Sequence, residues 1–411
     1  MTLTEETKVR LTQVVFVTLI GLMNAGSTGA QTPLKLVQQT LVVDGEKYEV
    51  QVPDGFVLDF LTGDLKGPRM ISFGPNQEML IGSKSGVYRL IPPYLQVETL
   101  VSLDDYPHSV AWREGYLYIA RTSGLYRVAY ANSASLISES DLELVAKIPG
   151  GLGHSSRTLG VGPDGRLYVS LGISGNCSNE YLGDGYEFED RRGGVMVLNE
   201  ATTPARWETF ASGLRNPVGF DWHPQTQVLY ASNNGPDHLG FDQPPEYFAR
   251  LTPHSFHGMP WFQFDGGQLL RDPCIKSAPP RPAEEVALPA ALLPSRTAPL
   301  GIGFVPPGAL IEAMQGDAVV ALHGSWGTEP FGSAFGNPAS RRHPQLVIVR
   351  FQDGEAERVE PLVTGFQLPN GGRWARPADV AVGSDGALYF TSDAELNGLF
   401  RLRLKRVSDA D

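Results

Sequence analysis

Leu159-Gly-Val-Gly-Pro-Asp-Gly-Arg-Leu-Tyr-Val169 decides the fold. Two apolar runs flank a Pro-Asp-Gly turn, the local signal for an antiparallel hairpin. The phrase returns along the chain. It reads Ile71-Ser-Phe-Gly-Pro-Asn-Gln-Glu-Met-Leu-Ile81, then Val110-Ala-Trp-Arg-Glu-Gly-Tyr-Leu-Tyr-Ile119. It reads again as Val218-Gly-Phe-Asp-Trp-His-Pro-Gln-Thr-Gln-Val-Leu-Tyr230 and Val380-Ala-Val-Gly-Ser-Asp-Gly-Ala-Leu-Tyr-Phe390. A degenerate copy spans Ile302 to Leu322. A third strand follows each copy, as in Gly86-Val-Tyr-Arg-Leu90, Gly124-Leu-Tyr-Arg-Val128 and Gly398-Leu-Phe-Arg-Leu402. A single such unit cannot bury both of its faces. Six of them imply an all-β, six-bladed β-propeller of antiparallel blades.

The interval between successive copies grows from 37 residues (Leu80 to Leu117) to 90 (Leu229 to Val319). The long intervals must hold inserted loops, of which Ser255 to Thr297 is the largest. Residues 31–65 alternate like strands and are expected to close the ring as an edge strand or to lie over it as an arm. Composition agrees. Glycine (46) and proline (32) make up about 19% of 411 residues, enough for many turns but below the disordered range. A net charge of −12 repels phosphate backbones and speaks against a nucleic-acid partner. Two cysteines exclude a Cys₄ zinc site and an iron–sulfur cluster held by cysteine alone.

Lys8 and Arg10 precede an apolar run, Leu11 to Met23, and small residues follow up to Ala30. That order reads as a secretory signal over 1–30, with one propeller domain over 31–411 and a periplasmic or secreted location. The alternative is an uncleaved anchor or a buried helix. Export permits a disulfide, and Cys177 and Cys274 stand in loop-like contexts 97 residues apart. They are expected to pair, against the alternative of two buried thiols.

Polar residues just before the first strand of each copy occupy similar offsets, and a closed ring gathers them around one opening. They are His108, His154, Arg215 with Asn216, Thr297, and Arg373 with Arg376. Histidines and arginines facing one cavity suit an anionic ligand plus a base. Arg157 either faces the channel or, the reading preferred, pairs with a carboxylate between blades. Asp237 and Asp242 are either metal-shell acids or turn residues. Trp326 and Trp374 are the tryptophans placed to stack on a flat ligand. No His-x-x-x-His spacing occurs, so zinc is unsupported.

Gly153-His-Ser-Ser-Arg-Thr-Leu159, Ser212-Gly-Leu-Arg-Asn-Pro-Val218, Asn234-Gly-Pro-Asp-His-Leu-Gly240, His323-Gly-Ser-Trp326 and Arg376-Pro-Ala-Asp-Val380 resemble the sorbosone dehydrogenase and soluble aldose-sugar dehydrogenase family. These are the pyrroloquinoline-quinone (PQQ) propellers, and the resemblance spans roughly Gly67 to Arg403. It implies PQQ and Ca²⁺ as cofactors, a small sugar as substrate and a separate electron acceptor. It implies His154 as general base and Arg215 at the quinone carbonyl. Asn216, Thr297, Arg373 and Arg376 would contact the cofactor, with His108 standing where the family has glutamine; the family's lysine has no clear match, and His323 or a neighbour is expected to replace it. The carbonyls of Gly235 and Pro236 would bind calcium. Gly153 stands where the glucose enzymes carry a sugar-contacting aspartate. The competing readings are a calcium-dependent lactonase or hydrolase on the same fold, and an inactive carbohydrate-binding propeller.

Overall fold

The Leu159 phrase forms the hairpin its turn chemistry calls for. Leu159–Val161 pairs antiparallel with Leu167–Leu171. Between them, the Gly162 N–H donates to the Arg166 carbonyl at 2.8 Å. Gly194–Asn199 and Arg206–Ser212 complete a blade. The computed structural model describes residues 32–131 and 136–406. The leader expected over 1–30 lies outside the described residues.

Five more four-stranded antiparallel blades repeat this plan, and together the six make the expected propeller. Their first strands, which line the central channel, are Pro68–Phe73, Ser109–Arg113, Phe220–Trp222, Pro299–Phe304 and Pro377–Val382. Blades are numbered here in chain order, so the Leu159 phrase opens blade 3. The second strands, such as Leu229–Asn233 and Ala318–Leu322, are buried along their whole length. Each lies inside its sheet with a neighbouring blade against either face, so a run apolar on both sides suits it. Phe390 and Phe400 stack at 4.7 Å in the core around blade 6. Burying an aromatic of this size contributes roughly 1.5–3 kcal/mol.

The strand-like amino-terminal stretch fills both roles expected of it. Phe56–Thr62 pairs with Gly398–Leu404 and supplies the fourth strand of blade 6, which closes the ring. Asp59 reinforces this seam through Arg401 and Arg403. Leu36–Val43 and Glu46–Pro53 form a separate hairpin arm, bridged at Gln51 to Thr364 beyond blade 5. The long insertion adds Ser255–Phe256 as a parallel fifth strand on blade 3. It then makes the hairpin Phe262–Asp265 with Gln268–Arg271 and returns to blade 4 as Ala291–Leu293.

In an antiparallel blade the first strand begins where the second ends. The segments before first strands and the loops after second strands therefore share one end of the channel. That is the end at which the sequence gathers its histidines and arginines. Among the described residues no helix is long and apolar enough to cross a membrane.

Candidate functional site

At this end, blades 3, 4 and 5 enclose a cavity of about 150 Å³. His154, Arg215, Asn216 and Gly235 line it together with Asn234, Asp237, Glu246, Arg296 and the Ser325–Gly327 segment. Six of the residues singled out in the sequence, with Asp237 and Trp326 among them, therefore meet in one place.

His154 is fixed from both its backbone and its ring. Its carbonyl accepts from Arg157 at 3.0 Å and from Arg192 at 2.8 Å. Both arginines are buried and wrap the preceding loop by binding its carbonyls, among them Pro149 and Leu152. Arg157 thus meets carbonyls in place of the carboxylate expected of it. Burial lowers its guanidinium to about 9. The His154 ring donates Nδ1–H to the Ile173 carbonyl. That bond sets the tautomer and leaves Nε2 as the proton acceptor. Burial, and then the Arg215 charge, lower the imidazole to about 4 against the Ile173 contact, so it is neutral at pH 7.

Gly153 explains the missing aspartate. Its φ is +86°, and a Cβ there would come within 2.0 Å of the Ser174 carbonyl oxygen. The loop that carries His154 therefore has no room for a side chain at 153.

Arg215 reaches in from blade 4. Its Nε and Nη2 donate to Asn176 Oδ1 at 3.1 and 2.8 Å, and Nη2 lies 3.3 Å from Asp237. Asp237 also pairs with Arg296. Neither Asn176 nor Arg296 was singled out in the sequence. Asp237 proves to be a site acid, while Asp242 pairs at the surface with Arg342. Gly235, Pro236 and Asp237 form a turn with unusual hydrogen bonding. The Gly235 N–H donates to the fully buried Glu246. Proline has no N–H, and the Asp237 N–H donates to Asn176 Oδ1 at 3.1 Å. Among the described residues the Gly235 and Pro236 carbonyls accept nothing. Burial pushes the Glu246 carboxyl up to about 7. Asn216 Oδ1 is buried and has no partner.

His108, Thr297, His323, Arg373 and Arg376 do not line this cavity. His323 bonds through Nε2 to Asp393 Oδ1 at 2.6 Å, and Arg69 pairs with the same carboxylate at 2.8 Å. Burial lowers the His323 imidazole to about 4. Burial alone would raise Asp393, but His323, Arg69 and Arg376 outweigh it and hold the carboxyl below its usual range. Arg376 donates to the His323 and Gly324 carbonyls and Arg373 to the Ser325 carbonyl, while Arg341 Nε is buried unpartnered. Burial, and then neighbouring arginines, lower both Arg373 and Arg376, the latter to about 10. His108 is buried edge-on to Tyr106, its Nδ1 unpartnered. The Thr297 hydroxyl donates to the Pro294 carbonyl at 2.7 Å, and its neighbours Arg296 and Ala298 line the cavity. Trp326 is half exposed at the cavity wall. Trp374, expected beside it, is instead buried and stacks on Tyr48 at 4.3 Å.

Cys177 and Cys274 form the expected disulfide, with Cα atoms 5.7 Å apart. It joins the loop after the second strand of blade 3 to the long insertion. His238 lies beside it and bonds to Asp272 at 3.0 Å.

A family model described as TrAA12-like matches residues 50–245. An uncharacterized protein of Borreliella burgdorferi is 25% identical over 371 residues, covering 87% of this chain and 92% of the relative. Among solved structures, the iodide structure of a Trichoderma reesei Carbohydrate-Active Enzymes Family AA12 protein has a TM-score of 0.73 at 18% identity, covering 91% of this chain and all of that one. The holo form of the pyranose dehydrogenase PQQ domain from Coprinopsis cinerea has a TM-score of 0.67 at 17% identity, covering 87% and 97%. The PQQ-bound aldose sugar dehydrogenase of Streptomyces coelicolor has a TM-score of 0.59 at 15% identity, covering 86% and 100%. The resemblance read from the sequence is borne out in the fold, whose solved neighbours include a pyranose dehydrogenase PQQ domain, a PQQ-bound aldose sugar dehydrogenase and an AA12 protein.

Proposed function

We propose that this chain is an exported quinoprotein dehydrogenase. It takes PQQ and Ca²⁺, oxidises an aldose sugar or sugar aldehyde, and passes electrons to a separate acceptor. The observation that carries the reading is the pairing of a neutral, tautomer-fixed His154 with the Arg215 cation in one cavity.

The residues fit both cofactors. The unpartnered carbonyls of Gly235 and Pro236 are hard oxygen donors of the kind calcium takes. The crowded arginines around Arg376 supply positive charge for a tricarboxylate. PQQ, when bound, supplies the two-electron acceptor for a hydride leaving the sugar carbon. His154 Nε2 removes the hydroxyl proton as that hydride departs, because the carbon gives up hydride readily only as its oxygen gains charge. Arg215 would place a cation beside the cofactor to stabilise the negative charge it takes on. Asn216 would contact the cofactor, and Arg373 and Arg376 would hold its carboxylates. Half-exposed Trp326 offers the sugar an apolar face. Gly153 leaves the sugar without the aspartate contact that the glucose enzymes make.

Purified protein titrated with PQQ in the presence of Ca²⁺ should develop a bound-quinone absorbance and reduce a dye when sugar is added. No binding at micromolar PQQ ends this reading.

A further inference from the structure

We infer that Asn176 is the positioning residue that sets Arg215 and the Gly235–Asp237 turn, and that the Cys177–Cys274 bridge holds it in place. The inference rests on the function proposed above for those residues.

One amide oxygen serves three donors: Arg215 Nε, Arg215 Nη2 and the Asp237 N–H. The other ties on Arg215 are longer, at 3.3 Å to Asp237 and 3.4 Å to the Asn234 carbonyl. Asn176 therefore makes the shortest contact on this guanidinium. It also holds the one N–H of the turn that Glu246 does not take, since Pro236 has none. With both N–H groups captured, the two carbonyls between them are left unpaired.

The acceptor is an amide, which suits the task. It orients the guanidinium without adding a second negative charge to that of Asp237, which lies 3.3 Å from Arg215 Nη2. Asn176 lies on a long loop, where a lone side chain would be expected to move. The next residue is Cys177, bridged to Cys274. The Cys274 N–H donates to Asp272 Oδ1 at 2.9 Å, and the same oxygen bonds to His238 Nε2 at 3.0 Å. His238 follows Asp237, so the chain of contacts returns to the turn from its other side. Asn176 is thereby fixed against both elements that it orients.

The test has two readouts. Hydrogen exchange in the cofactor-free protein, followed in peptides spanning residues 234–240, reports the turn directly. The second readout is kcat with dye at saturating PQQ and Ca²⁺. Asn176→Leu should speed exchange and lower kcat roughly ten- to hundredfold, the worth of a hydrogen bond to a charged group. Asn176→Asp keeps an acceptor and should restore slow exchange while recovering only part of kcat. Cys177→Ser with Cys274→Ser, or dithiothreitol on the folded protein if that variant does not fold, should speed exchange in the same peptides. Wild-type exchange and kcat in Asn176→Leu would overturn the role of Asn176. Unchanged exchange after loss of the bridge would overturn the role of the disulfide. Absence of dye reduction in the wild-type protein would sink the function above, while exchange would still decide whether Asn176 sets the turn.

Discussion

On the side of blades 3 and 4, the carboxylate of Asp237 serves two arginines, Arg215 and Arg296. Across the opening, Asp393 serves Arg69 and a histidine, while Arg373 and Arg376 have carbonyl partners and no carboxylate among the described residues. The histidines differ as well. His154 spends one ring nitrogen on a backbone carbonyl, and His323 spends one on a carboxylate. The first side sets two arginines against the one carboxylate they share and holds a free proton acceptor. The second carries surplus positive charge. On the function proposed above, the first half would move a proton and the second would grip an anion, although both draw on the same residue types.

The largest expected effect tests the proton-transfer half. His154→Ala should leave PQQ binding nearly intact and lower kcat by roughly 10²–10⁴, the usual range for loss of a general base. Near-full turnover in this variant would move the base elsewhere, with His108 the next candidate. The anion-gripping half should show the opposite split. Arg376→Ala should weaken PQQ binding about 10–100-fold, as for one charge-assisted hydrogen bond, with kcat at saturating cofactor much less affected. A change in kcat alone would erase the distinction between the halves.

The smallest effect is in the pH profile. The neutral imidazole of His154 is the active form and is lost as pH falls through its pKa. With that value near 4, kcat/KM should hold from neutral to about pH 5 and fall below it. Arg215 lowers the His154 value, so Arg215→Ala should move the acid limb to higher pH. A limb at the ordinary histidine value of about 6.5 in the unaltered protein would show that burial does not govern His154.

The propeller was legible because its signals are local. An Asp-Gly turn between alternating strands can be read within about ten residues, and six copies leave few architectures. His154, Arg215 and Asn216 were legible because each stands at a fixed offset before a first strand. The offset alone misled at Thr297, where the hydroxyl turns back to Pro294. Asn176, Arg192, Asp393 and Glu246 were missed for a different reason. They lie in or beside loops of unequal length after second strands, with no period to mark them, and meet the site only once the ring has closed. Arg157 was assigned the wrong partner because an arginine solvated wholly by carbonyls has the same sequence signature as one in an ion pair.

The seam between Phe56–Thr62 and Gly398–Leu404 governs the order in which the molecule can be made. The strand that finishes the last blade is made before every blade's first strand, and its partner is made after all the other blades. Blade 6 therefore stays incomplete until Gly398–Leu404 has been made. Closing a loop of this length carries an entropic cost before any contact rewards it, which favours slow folding. Ribosome-bound chains that stop short of Gly398 should accordingly stay sensitive to protease, and resistance should arrive late and in a single step.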